Sequence, residues 1–211
     1  MFTVVVDAVW LHQPGYGGIA VLYGNQLRFS EVTLPPTTLF EALCMRFRVG
    51  NSSWLLMMIY RPGILSSHCY VSDELSAVLE TPVSYGCPIV IGGDFNIHVE
   101  NPSDVNASYL MELLSCVDLQ QHVTLPTHQA GGTLDLVITF SDYDVDQLTV
   151  DPPGVVSDHS LIMCCLPVRR VAASQFTRKV RSWQTIVRRV MFQAIADSPL
   201  GREPSSDKLT V

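Results

Sequence analysis

The sequence predicts an α/β protein in which two packed sheets are flanked by helices. Three observations predict it. Apolar, β-branched runs recur along the chain, and several of them end on a polar group. Helical spacing appears between some of these runs, at 72–79 and 104–117. No apolar run reaches the roughly 18 residues that a membrane span needs.

The elements follow in order. Residues 3–11 (TVVVDAVWL) read as a strand. The Pro- and Gly-rich stretch 14–18 is a turn. Segments 18–23 and 26–34 form a hairpin across Gly24-Asn25. Residues 40–49 (FEALCMRFRV) and 54–60 are strands joined across Gly50-Asn51-Ser52-Ser53. The helix at 72–79 opens on Ser72-Asp73-Glu74, carries Leu75, Val78 and Leu79 on one face, and is expected to stop at Pro82. The strand 87–94 follows. Pro102-Ser103-Asp104 opens a second helix that runs to Val117, with Leu110, Leu113, Leu114 and Val117 at i, i+3, i+4, i+7. Residues 120–127 read as irregular. The run 131–139 is a strand, 142–146 an acidic turn, 147–150 a short strand, 151–154 a Pro-Pro turn, and 161–166 closes the sheet. In the tail, 178–196 is basic and amphipathic, with Val180, Trp183, Ile186, Val187 and Val190 on one face.

Composition sets the class. The chain has 211 residues, 47% of them hydrophobic and 16% charged, apolar enough to build a core. The six cysteines contain no Cys-x-x-Cys pair, and Cys44, Cys87 and Cys164 read as reduced core residues of an intracellular protein, nuclear or cytoplasmic. The apolar start lacks a basic lead and is broken by Asp7, against a signal peptide. Charge is uneven. Residues 1–168 carry four Arg, no Lys and 17 Asp/Glu, whereas 169–211 carry nine Lys/Arg and three Asp/Glu. An acidic body is a poor electrostatic partner for DNA.

Four strands deliver polar groups in sequence. The first ends on Tyr60-Arg61-Pro62-Gly63. The second, Cys87-Pro88-Ile89-Val90-Ile91, runs through Gly92-Gly93 to Asp94, with Asn96 two residues on. In extended chain Asp94 and Asn96 point to one face. A carboxylate beside a carboxamide suits a hard divalent cation and a hydrogen bond to a phosphate oxygen or water. His98 lies on the same face. The third strand carries Asp135. The fourth opens on Asp158-His159, and a histidine paired with acids is standard equipment for proton transfer at a phosphoester. His12, His68, His122 and His128 show no metal-ligand spacing.

This ordered series resembles the endonuclease/exonuclease/phosphatase superfamily, whose fold is the DNase I-like four-layer α/β sandwich of two mixed sheets flanked by helices. More narrowly it resembles the endonuclease domain of non-LTR, LINE-type retrotransposons. The phrases that carry the resemblance are Pro14-Gly15-Tyr16, Gly17-Gly18-Ile19-Ala20-Val21, Tyr60-Arg61-Pro62-Gly63, Gly93-Asp94-Phe95-Asn96-Ile97-His98, Pro126-Thr127-His128 ahead of Leu134-Asp135, and Ser157-Asp158-His159-Ser160-Leu161. The likeness spans about residues 4–168. On it, residues 1–168 are a nuclease-type domain and 169–211 a basic tail, a linker toward an absent reverse transcriptase.

The resemblance implies hydrolysis of a DNA phosphodiester with Mg²⁺, Mn²⁺ being the alternative. Tyr60, Asp94, Asn96, Asp135 and His159 would be catalytic, Asp158 a metal ligand, and Asn96 and His98 substrate contacts. His159 would transfer a proton or hold the phosphate, oriented by Asp135. Family members also use an Asn on the first strand and a Glu before a Trp-Leu pair. Aligning Trp10-Leu11 places Ala8 at the Glu position, and neighbouring Asp7 falls on the opposite face. The expectation is therefore an amino-terminally truncated retrotransposon endonuclease with impaired activity. The alternatives are an inactive remnant and another phosphohydrolase of the same fold.

Overall fold

A computed structural model describes residues 18–24, 27–49, 52–63, 70–154, 157–166 and 188–198. The strand expected at 3–11, the turn at 14–17 and the first part of the tail helix lie outside them. The chain divides into two compact units, Met1–Ser174 and Gln175–Val211.

The first unit is built on a six-stranded mixed sheet. Its strands are β1 (Phe29–Val32), β2 (Glu41–Val49), β3 (Ser52–Tyr60), β4 (Ile89–Asp94), β5 (Leu119–Gln121) and β6 (Asp135–Phe140), in the order β1-β2-β3-β4-β6-β5. Only β3 and β4 pair in parallel; the other neighbours are antiparallel. A second sheet pairs β7 (Asp146–Val150) with β8 (Ile162–Cys165). The α/β class with two sheets and flanking helices is thus observed.

Alternation gives the large sheet two different faces. On one, Cys44, Leu55, Met57, Ile59, Ile89, Ile91, Leu136, Ile138 and Phe140 are buried in one core with Leu75, Val78, Leu79, Leu110 and Leu114 from the helices. Burying each such side chain contributes roughly 1.5–3 kcal/mol. The other face carries Phe29, Phe47 and Trp54 in an aromatic file that continues to Tyr23 and Tyr143, with ring centroids 4.4–6.5 Å apart. The polar strand ends project on this second face.

Helix α1 (Ser76–Ser84) continues directly from a π-helical stretch, Tyr70–Leu75. Glu74 at that junction accepts hydrogen bonds from the backbone N–H of Thr38 (2.8 Å) and Leu39 (3.0 Å), and from the Thr38 hydroxyl, fixing the approach to β2. The expected stop at Pro82 is not observed. Pro82 is buried within α1, and the helix ends two residues later. Burial of the ring outweighs the one backbone bond that proline forgoes. Helix α2 (Val105–Cys116) starts as predicted, with the Asp104 carboxylate capping the N–H groups of Asn106 and Ala107.

Two further expectations change. Gln120 and Gln121, read as irregular, join Leu119 in an edge strand, with Leu119 buried, Gln120 exposed and the Gln121 amide donating to the Val123 carbonyl at 2.7 Å. The strand expected to close the sheet at 161–166 instead pairs with β7. In the second unit, the described tail helix is α3 (Arg188–Asp197), with Val190 and Phe192 exposed. No helix among the described residues is long and apolar enough to cross a membrane.

Candidate active site

Register, not sequence distance, assembles the site. Tyr60 ends β3 opposite Asp94 at the end of β4, and Asp94 lies opposite Asp135 at the start of β6. Directly paired residues share a face. Tyr60, Asp94 and Asp135 therefore stand in one row, on the face away from the helical core. Glu41, which opens β2, pairs with Tyr60 and extends the row by one strand. Sequence reading passed over Glu41, because a single acid at a strand start carries no signal of its own.

Close approach of β3 and β4 depends on Gly93. Its φ is +130°, and a Cβ there would sit 1.9 Å from the Ile59 carbonyl oxygen. A side chain is excluded on both counts. Beyond Asp94 the chain turns. Asn96 has φ +50°, a conformation asparagine tolerates better than most residues. Its N–H donates to Asp94 Oδ1 at 2.9 Å, and its carboxamide lies 3.4 Å from Asp94 Oδ2 and 3.3 Å from the Arg61 carbonyl. Asp94 and Asn96 do meet, but through this turn rather than through strand alternation. Arg61, only 3% exposed, buttresses the turn by donating from Nη1 to the Asn96 carbonyl at 2.7 Å. A cleft of about 200 Å³, bordered by Ile19, Ala20 and Met58, opens beside Tyr60 and Asp94.

His159 Nδ1 is 2.8 Å from Asp135 Oδ2. One buried residue ties this pair together. The Thr127 hydroxyl accepts from the N–H of Leu134 and of Asp135, both at 2.9 Å, while its carbonyl accepts from the Ser160 N–H at 2.7 Å. Thr127 is fully buried. The same pairing sets His128 across from His159, with ring centroids 4.9 Å apart. His128 Nε2 lies 3.5 Å from Asp158 Oδ2. Neither Thr127 nor His128 drew a role from linear spacing, since their partners lie far along the chain.

His98 is engaged elsewhere. Its Nδ1 meets Glu100 Oε1 at 2.8 Å and its ring borders Gly132, while Glu100 accepts the Thr133 N–H at 2.9 Å. His122 bonds the Thr139 hydroxyl at 2.8 Å.

The electrostatics follow from this crowding. Burial, and then the neighbouring Asp135 carboxylate, push the Asp94 carboxyl up to about 6, against the Asn96 N–H and the two histidines, which favour its ionised form. Burial, with Asp94 and Glu41 beside it, raises the Tyr60 phenol. Burial lowers His159, but the Asp135 hydrogen bond and the charges of Asp135, Asp94 and Asp158 outweigh it, and the imidazole is raised above its ordinary value. A carboxyl raised toward neutrality and an imidazole raised above its ordinary value thus lie within one site.

Residues 54–163, just over half the chain and all of the row except Glu41, match the family described as endonuclease-reverse transcriptase. The chain belongs to the endonuclease-reverse transcriptase family. It shares the fold of the wider endonuclease/exonuclease/phosphatase superfamily. Among solved structures, this family member is similar to the endonuclease domain of TRAS1, a telomere-specific non-LTR retrotransposon, at 17% identity and TM-score 0.58, over 79% of this chain and 81% of that one. It is also similar to the catalytic domain of human Nocturnin, at 16% identity and TM-score 0.52, over 79% and 71%. A mannosyl-6-phosphatase of Bacteroides thetaiotaomicron matches at 12% identity and TM-score 0.50, over 79% and 76%. No curated protein matches the chain.

Proposed function

We propose that this endonuclease-reverse transcriptase family member is a divalent-metal-dependent phosphodiester hydrolase that nicks DNA, an endonuclease of retrotransposon type. The observation that carries the reading is the row Tyr60–Asp94–Asp135 closed by the 2.8 Å Asp135–His159 contact. Asp94, half-buried beside Asp135, is placed to align the attacking water. Asn96, whose carboxamide is steadied by Arg61 and Asp94, orients that water or a phosphate oxygen. His159, oriented by Asp135, holds a proton for the phosphate or the leaving oxygen. The Tyr60 hydroxyl is placed to hydrogen-bond the same developing charge.

The donor set fits a hard cation. Asp94 and Asp135 are opposed carboxylates, and their mutual repulsion is of the kind a cation relieves. Asp94 and Asn96, whose carboxyl and carboxamide lie 3.4 Å apart, would hold Mg²⁺ or Mn²⁺, which when bound would supply charge stabilisation to the phosphoryl oxygens. Affinity for DNA is expected to be weak, because residues 1–168 hold 17 Asp/Glu against four Arg. The same imbalance favours a second reading, hydrolysis of a small phosphomonoester on the same row.

The test is nicking of supercoiled plasmid by the purified chain in Mg²⁺, beside small phosphoesters, with His159→Ala as control. Nicking that the control abolishes supports the endonuclease. Turnover of a small phosphoester alone supports the second reading. A folded chain inert toward both substrates refutes the hydrolase reading and leaves the inactive remnant.

A further inference from the structure

His128 lies outside the row, yet the fold brings it to Asp158 and His159. One ligating atom from each of the three lies within 4.8 Å of the others. Two of them, His128 Nε2 and Asp158 Oδ2, are 3.5 Å apart. Ligands bound at about 2.0–2.1 Å in a tetrahedral shell are separated by roughly 3.4 Å. That pair is therefore already spaced for one ion. The third ligand atom, from the His159 ring, lies within 4.8 Å of both and would close on the ion by side-chain rotation. Asp135 holds Nδ1 of His159 at 2.8 Å, which leaves Nε2 for a metal and forms the carboxylate–histidine–metal arrangement that orients such ligands. The backbone holds the set in place: Gln129 N–H donates to the Asp158 carbonyl at 2.8 Å, and Ser160 N–H to the Thr127 carbonyl at 2.7 Å.

Two imidazoles and one carboxylate are the donor set of a borderline cation, not of Mg²⁺. We propose that His128, Asp158 and His159 form a site for a divalent cation of the zinc class, and that its occupancy takes the His159 ring out of proton transfer. Binding moves the His128 proton from Nε2 to Nδ1. The Ala130 N–H that now meets Nδ1 at 3.1 Å turns to water, in an exposed loop. The metal site stands on geometry alone; the silencing of catalysis rests on the role given to His159 above.

The experiment separates the two. The full chain, stripped with chelator, is titrated with Co²⁺ and then with Zn²⁺. One equivalent of Co²⁺ is expected to give visible absorption of four- or five-coordinate geometry without thiolate charge transfer, and Zn²⁺ to displace it. His128→Ala and the gentler His128→Gln, each checked for fold by circular dichroism, are expected to weaken binding at least roughly tenfold. Unchanged affinity in both folded variants overturns the site, as does a thiolate band pointing to cysteine. NMR of the His159 ring reads the consequence even if the chain does not nick. Its pH titration is expected to vanish with one equivalent of Zn²⁺ and to persist in His128→Ala; a titration unaffected by bound Zn²⁺ overturns the silencing. Where the chain nicks, Zn²⁺ should inhibit the parent and spare His128→Ala.

Discussion

Replacing Asp94 by Asn should stabilise the fold, and on the function proposed above it should abolish hydrolysis. The folded Asp94 carboxyl is raised from 3.8 to about 6, chiefly by burial and then by Asp135. The folded state therefore binds the proton more tightly than the unfolded chain, and stability falls as pH rises from about 4 to about 6. Above that window the cost is constant. The shift corresponds to at most roughly 3 kcal/mol, and solvent screening at this half-buried position cuts it to ~1–2 kcal/mol. Asp94→Asn removes the charge and keeps Oδ1 as acceptor for the Asn96 N–H, a bond of 2.9 Å. A gain of that size would raise Tm by roughly 2–8 °C. Urea and thermal unfolding of parent and variant at pH 4.5, 6 and 8 (about the edges of the window) measure it. The gain should be small at the lowest pH and full at the highest. Equal stabilities at pH 8, or a gain independent of pH, would refute the view that Asp94 is held in an environment hostile to its charge.

Three further outcomes are expected. Asp135→Asn should bring the His159 imidazole back toward its ordinary value; NMR titration checks this. In the parent, the stability that protonated His159 contributes is complete below about 6.5 and lost as pH rises through its raised folded value, and the variant should lose that alkaline dependence. Gly93→Ala should unfold or grossly destabilise the first unit, by more than about 4 kcal/mol, because its Cβ meets the Ile59 carbonyl at 1.9 Å; expression and urea midpoint decide it. Thr127→Ala should cost about 2–4 kcal/mol by stranding one buried and one half-buried N–H donor, with Thr127→Ser recovering most of it in the same denaturation assay.

Much of the fold was legible because the signals are local. Asp104 was readable as a helix start, since capping involves only the next three residues. Strands β3 and β4 were legible as buried strands from their continuous apolar runs, Trp54–Ile59 and Ile89–Ile91. Pro82 was misjudged because a local rule about proline lost to tertiary burial. Gln120 and Gln121 read as irregular because their strand character comes from pairing with β6, not from their own polar sequence.

The candidate site divides along the same line. By itself the sequence marked the candidate groups: Tyr60, Asp94 with Asn96, Asp135, and Asp158-His159. Tertiary structure alone decided that these groups meet. Tyr60↔Asp94 and Asp94↔Asp135 are register facts between strands whose residues lie 34 and 41 positions apart. It also decided that Glu41 joins the row, that Thr127 clamps Asp135 to the chain bearing His159, and that His128 faces Asp158 and His159. Pairing of distant segments is set by the packing of whole faces, and no local pattern of residues encodes it.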